Sequence, residues 1–117
     1  MITLTSTHEF SHGESLSSAV IKAETLAIRR GSPLQLRVSF YRNLDAANNN
    51  KSVIIPEATD PLNGLNFVNI PFETLGTYDT PAAPKIGAAL EAYLEDQIKA
   101  RIAEINAAIG TTAITYA

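Results

Sequence analysis

The chain has 117 residues, no cysteine, 45% hydrophobic and 18% charged side chains, and a formal net charge of −3. This is the balance of a single globular domain, residues 1–117, and it excludes a disulfide scaffold, a thiolate zinc site and a Cys nucleophile. No apolar run reaches the roughly 18 residues that suggest a membrane-spanning helix, and no basic-then-apolar leader opens the chain, so the expected location is cytoplasmic unless the chain is built into a particle. Residues 1–51 hold six basic and four acidic side chains, and residues 52–117 hold three and eight. Such a split suits complementary contacts between chains. The basic half is too dilute, and too poor in aromatics, to argue for nucleic acid.

Residues 1–72 read as β-rich. Ile2 and Leu4 alternate with Thr3 and Thr5, a strand pattern rich in β-branched residues. It runs into His8-Glu9-Phe10-Ser11-His12, a match to the His-Glu-x-x-His zinc-protease signature. There, His8 and His12 would hold the metal and Glu9 would act as general base. The chemistry requires a helix, which sets positions i and i+4 side by side. On a strand the two imidazoles would stand about 13 Å apart. Gly13 follows at once, no apolar helical stripe crosses residues 7–18, and both His residues of the chain are spent in the pattern. A third ligand would have to be a carboxylate such as Glu24 or Glu91. The expectation is strand or turn, with solvent-facing imidazoles and no metal, catalytic or cofactor site.

Ala19 to Arg30 is a second strand whose apolar phase changes between Ala23 and Leu26, which predicts a bulge. Arg30-Gly31-Ser32-Pro33 is a turn, and Leu34 to Tyr41 is the clearest strand of the chain. Leu34, Leu36, Val38 and Phe40 share one face. Gln35, Arg37, Ser39 and Tyr41 share the other, which makes Arg37 and Tyr41 the candidate interface residues. Asn43 to Ser52 is rich in Asn and reads as a polar turn region. Val53-Ile54-Ile55 is a short strand stopped by Pro56, Asn63-Gly64 suits a hairpin, and Phe67 to Ile70 is a further strand.

Residues 73–83 form an irregular linker. From Pro84 to Ile109 the period turns helical: Ile86, Leu90, Leu94, Ile98, Ile102, Ile105 and Ile109 recur every three or four residues. Pro84 suits a first turn and Gly110 a stop. Such a helix, about 39 Å long, spans or overhangs a domain of this size. Residues 111–116 suit a last strand. The fold class is therefore α+β: an antiparallel sheet or small sandwich with one long C-terminal amphipathic helix.

There is no phosphate-binding Gly-rich loop and no nucleophile elbow. Asp45, Asp60 and Asp79 sit in turns that account for them, and Glu57 with Asp60 flanks a loop that could take a cation. Tyr41, Tyr78 and Tyr93 could stack a small ligand or glycan, without clustering in sequence.

Three segments resemble small structural proteins of tailed bacteriophages. They are Ala19-Val20-Ile21-Lys22, the strand Leu34 to Tyr41 with Arg42 and Asn43, and the polar loop Ala46-Ala47-Asn48-Asn49-Asn50. Together they cover about a third of the chain. The resemblance implies a tail, baseplate or neck subunit of a virion, with itself or other structural chains as partners and no catalytic residue to carry over. The leading expectation is thus a non-enzymatic assembly protein. A terminal strand would be the natural donor if strands pair between subunits. A zinc-dependent hydrolase using His8, Glu9 and His12 and a ligand- or glycan-binding module are the alternatives.

Overall fold

A computed structural model of the chain describes residues 1–27, 34–70 and 88–117, the side chains of His12, Phe67, Ala88, Ala89 and Leu90 excepted. Its elements run β1 (Ile2–Thr3), β2 (His8–Phe10), a 3-10 turn (Ser11–Gly13), β3 (Glu14–Leu16), β4 (Val20–Ala27), β5 (Leu34–Tyr41), α1 (Leu44–Asn48), a 3-10 helix (Pro61–Leu65), β6 (Phe67–Ile70) and α2 (Ala88–Ile109). Four strands form one antiparallel sheet in the order β1-β4-β5-β6, and β2 and β3 form a separate hairpin. With the long helix this is the expected α+β class.

The period-2 pattern of β5 sends Leu34, Leu36 and Phe40 into the main core, opposite Val68 and Ile70 of β6. The bulge falls where the phase changed: Ala23 pairs with Val38 and Thr25 with Arg37, leaving Glu24 as the extra residue. β1 pairs with β4 of its own sheet, Ile2 facing Ile21, so the N-terminal strand is used within the chain.

α2 lies across one face of this sheet. Its 22 residues span about 33 Å. Ile98, Ile102 and Ile105 are buried against the sheet and the 3-10 helix, whereas Ile109 is 49% exposed, so the apolar stripe is covered in its middle and open at its C-terminal end. A Cβ on Gly64 would lie 3.0 Å from Ile105 Cδ1, so the 3-10 helix and α2 approach closely at this point. Asn63-Gly64 therefore does not close a hairpin. Pro61 begins a 3-10 helix, and the Asp60 side chain caps it by accepting the Leu62 N–H at 2.9 Å.

Gly110 ends α2 in the left-handed conformation, φ +84°, with its N–H on Asn106 O at 2.9 Å. The tail that follows is no ladder strand. It is held by single bridges and by one side chain. Asn106 Nδ2 donates to Ile114 O and Ile114 N donates to Asn106 Oδ1, both at 2.9 Å. Leu4 bridges Tyr116, Thr5 N–H donates to Thr115 O at 2.9 Å, and Ala117 N–H donates to Thr3 O at 3.0 Å.

The Asn-rich region contains a helix rather than turns alone. Asn43 caps α1 by accepting the Ala46 N–H at 2.8 Å, and Ala47 is buried under it with Val20 and Tyr41 in a second, smaller core on the opposite face of the sheet. The predicted linker 73–83 and the start of the predicted helix at 84–87 lie outside the described residues.

The two ends of the α2 stripe predict different costs of truncation. Ile102→Ala is expected to destabilise the chain by about 2–5 kcal/mol in urea unfolding. Ile109→Ala is expected to stay within about 0.5 kcal/mol of the parent.

Candidate functional site

The signature segment is extended, not helical. His8, Glu9 and Phe10 form β2, and residues 11–13 make a 3-10 turn. Alternation along β2 turns His8 and Phe10 inward and Glu9 to solvent, where Ser15 Oγ donates to Glu9 Oε1 at 2.5 Å. His8 and Glu9 thus face opposite sides of the hairpin. Among the described residues no three His, Asp or Glu side chains gather closely enough to hold a metal ion. A tenant for a metal would also have to displace existing partners, because both ring nitrogens of His8 are already bonded.

Those partners correct the expectation of a solvent-facing imidazole. His8 is 2% exposed. Its Nδ1 lies 3.0 Å from Asp60 Oδ1, and its Nε2 lies 2.5 Å from Ser6 Oγ. Asp60 is nearly as buried, and its carboxylate also accepts the Glu9 N–H at 2.8 Å and the Leu62 N–H at 2.9 Å. It is therefore an acceptor on every side, so His8 Nδ1–H donates to it, while Nε2 pairs with the Ser6 hydroxyl. Ser6 Oγ accepts the Thr115 N–H at 2.9 Å, and Thr115 O lies 3.4 Å away. Ser6, His8 and Asp60 thus tie the N-terminal segment, the cap of the 3-10 helix and the C-terminal tail into one hydrogen-bonded chain.

The order Ser–His–Asp, with the hydroxyl on Nε2 and the carboxylate on Nδ1, uses the same atoms as an acyl-transfer triad. Attack on an acyl group also needs a free oxygen lone pair aimed at substrate and donors placed for the oxyanion. Here the Ser6 oxygen receives the Thr115 N–H on one of its two lone pairs, so the same hydroxyl that meets His8 also fastens the tail. The described contacts make this network a clasp.

Tyr41, expected on the solvent face of β5, is 2% exposed, because Ala46 and Ala47 of α1 roof it. Its hydroxyl donates to Glu24 Oε1 at 2.7 Å, the residue that the bulge sets aside. The hydrogen bond to Glu24 pushes the Tyr41 pKa up, with burial and the Glu24 charge adding to it; a hydrogen bond from Ser39 opposes them. Arg37 is exposed on the same strand face and keeps its place on the surface. Of the remaining tyrosines considered for stacking, Tyr93 packs against the main core and Tyr78 lies outside the described residues. Glu24 and Glu91, named as a third metal ligand, are instead engaged with Tyr41 and with the chain's N-terminal amine.

Sequence reasoning missed the clasp. Its one available signal was Asp60 immediately before Pro61, an N-cap arrangement that fixes the carboxylate but does not say which distant side chain it meets. Comparisons with protein-family models, curated proteins and solved structures give no match for this chain.

Two outcomes are expected. Ser6→Ala, which strands His8 Nε2 and the Thr115 N–H, should lower stability by about 1–3 kcal/mol in urea unfolding, and Asp60→Ala should cost more because it strands three donors. Alkaline titration should separate Tyr41 from an ordinary tyrosine. The folded chain holds its proton more tightly than the unfolded chain, so the contribution is intact below the unfolded value of 10.0 and is lost as pH rises from there through the higher folded value. In Tyr41→Phe this part of the alkaline loss should vanish, as read from unfolding midpoints across that range.

Proposed function

We propose that this chain is a non-enzymatic assembly protein, a subunit of a symmetric oligomer or of a tailed-phage virion at the tail, baseplate or neck. The observation that carries the reading is how side chains are allotted. The residues with chemistry to offer, Ser6, His8 and Asp60, are used in holding the fold together. Large apolar side chains, meanwhile, stand in solvent on a backbone that is firmly bonded: Val53 is 55% exposed and Ile55 is 64% exposed, on either side of buried Ile54. Paired exposed aliphatics on an extended segment fixed by backbone bridges suit a surface covered by another chain. The virion assignment rests on the resemblance of the β4, β5 and α1 segments to phage structural proteins.

Light scattering on the purified chain tests the reading. Particles of several times the 12.6 kDa chain mass, growing with concentration, are the expected result. A monomer at every concentration that also fails to bind any co-expressed structural chain would sink it. Metal analysis addresses the hydrolase alternative on the same sample: stoichiometric zinc that disappears in His8→Ala would revive it.

A further inference from the structure

The segment after α1 is a strip with opposite charges at its two ends. Lys51 N–H donates to Ala46 O at 2.9 Å, which holds Lys51 at the C-terminal end of α1. Beside it, Lys22 Nζ reaches Ala47 O at 3.3 Å and Asn50 Oδ1 at 2.6 Å, both uncharged partners. Ser52 then takes a left-handed turn, φ 48°, and the chain runs extended from Val53. Ile54 and Pro56 face inward, bridging Phe40 and Phe10, so Val53 and Ile55 face out. At the far end Glu57 N–H donates to Glu9 O at 3.0 Å, which brings two carboxylate-bearing residues together. From Val53 to Glu57 is about 13 Å of extended chain. Among the described residues, Lys51, Lys22, Glu57 and Glu9 have no oppositely charged partner.

We infer that this strip is the contact between two copies of the chain, packed face to face about a two-fold axis with the strips antiparallel. The inference rests on the assembly reading and names its surface. The order basic, apolar, apolar, acidic is its own complement under that rotation: Lys51 of each copy meets Glu57 of the other, and Val53 meets Ile55. Two-fold interfaces are isologous, and a patch that matches itself when reversed is what they require. The unpaired charges at both ends find partners there, which favours the second copy over an unrelated apolar partner. Strand addition is not the mode. Both backbone edges are in use, with Ile54 N–H on Phe40 O at 2.9 Å and Ser11 N–H on Ile55 O at 2.8 Å, so the partner meets side chains.

Charge reversal in the whole chain tests this. Sedimentation equilibrium should show the parent dimerising through this contact. Lys51→Glu alone and Glu57→Lys alone should each weaken dimerisation about tenfold or more by setting like charges opposite each other. Mixing the two variants should restore the parent affinity, because in the mixed pair every position 51 again faces an opposite charge at position 57. Ile55→Asp should abolish the contact without rescue, and circular dichroism should show all variants folded, since the altered side chains lie at the surface. A parent chain that self-associates while all three variants associate as well as it does overturns this surface and leaves the assembly reading standing. Weakened single variants that fail to rescue each other overturn the antiparallel geometry. A parent that stays monomeric up to millimolar concentration overturns self-pairing, and the assembly reading then depends on a different partner chain.

Discussion

The fold depends on a buried imidazole whose two nitrogens are satisfied by residues from different parts of the chain. His8 is the single polar residue among the described ones that is wholly withdrawn from water. Withdrawing it would be costly if either nitrogen lacked a partner, since an unmet polar group in the interior forfeits its hydration with nothing in return. Asp60 and Ser6 supply those partners. Asp60 is fixed by two backbone N–H groups and by its place at the start of a 3-10 helix, and Ser6 by the tail. Each member is positioned by the others, so the set holds together or fails together.

This network does mechanical work that the hydrophobic core leaves undone. β1 is only two residues long, and its outer side is covered by the tail through single bridges rather than a ladder. Such short edges are weak unless something else holds them. The side-chain amide of Asn106 pairs with both backbone groups of Ile114 as a neighbouring strand would, and Thr5 and Thr115 join their hydroxyls at 2.8 Å. Helix, tail and first strand are thereby fastened at one corner of the sheet. Just past the C-terminal end of β5, Arg42 grips the Glu14 carboxylate through Nε at 3.2 Å and Nη2 at 2.8 Å, linking the small hairpin to the main sheet.

Elements governed by local periodicity were legible before any coordinates. The strand Leu34 to Tyr41 with Leu34, Leu36 and Phe40 inward, the bulge near Ala23, and the burial of Ile98, Ile102 and Ile105 on α2 each follow from side-chain spacing. What local reading could not reach were contacts between distant residues. His8 and Asp60 are 52 positions apart and Ser6 and Thr115 are 109 apart, so a solvent-facing histidine was the natural reading of a segment beside a glycine. Tyr41 failed for a related reason. Its position on the polar face of β5 was right, but the face is roofed there by α1, whose alanines sit in a stretch dominated by turn-forming asparagines. Asn63-Gly64 shows a third kind of failure, in which a strong hairpin dipeptide yields to the Asp60-Pro61 start of a 3-10 helix packed against Ile105.

The pairing of residues 3–6 with residues 115–117 has a consequence for how the protein is made. During synthesis β1 emerges with β4 soon behind it, but the outer edge of β1 has no cover until residues 115–117 follow. Contacts so far apart along the chain are the slowest to form, and an open strand edge is the part of a nascent chain most prone to find the wrong neighbour. The fastening that covers β1 therefore waits on a segment 110 residues further along the chain, and until it closes that edge is open to other strands.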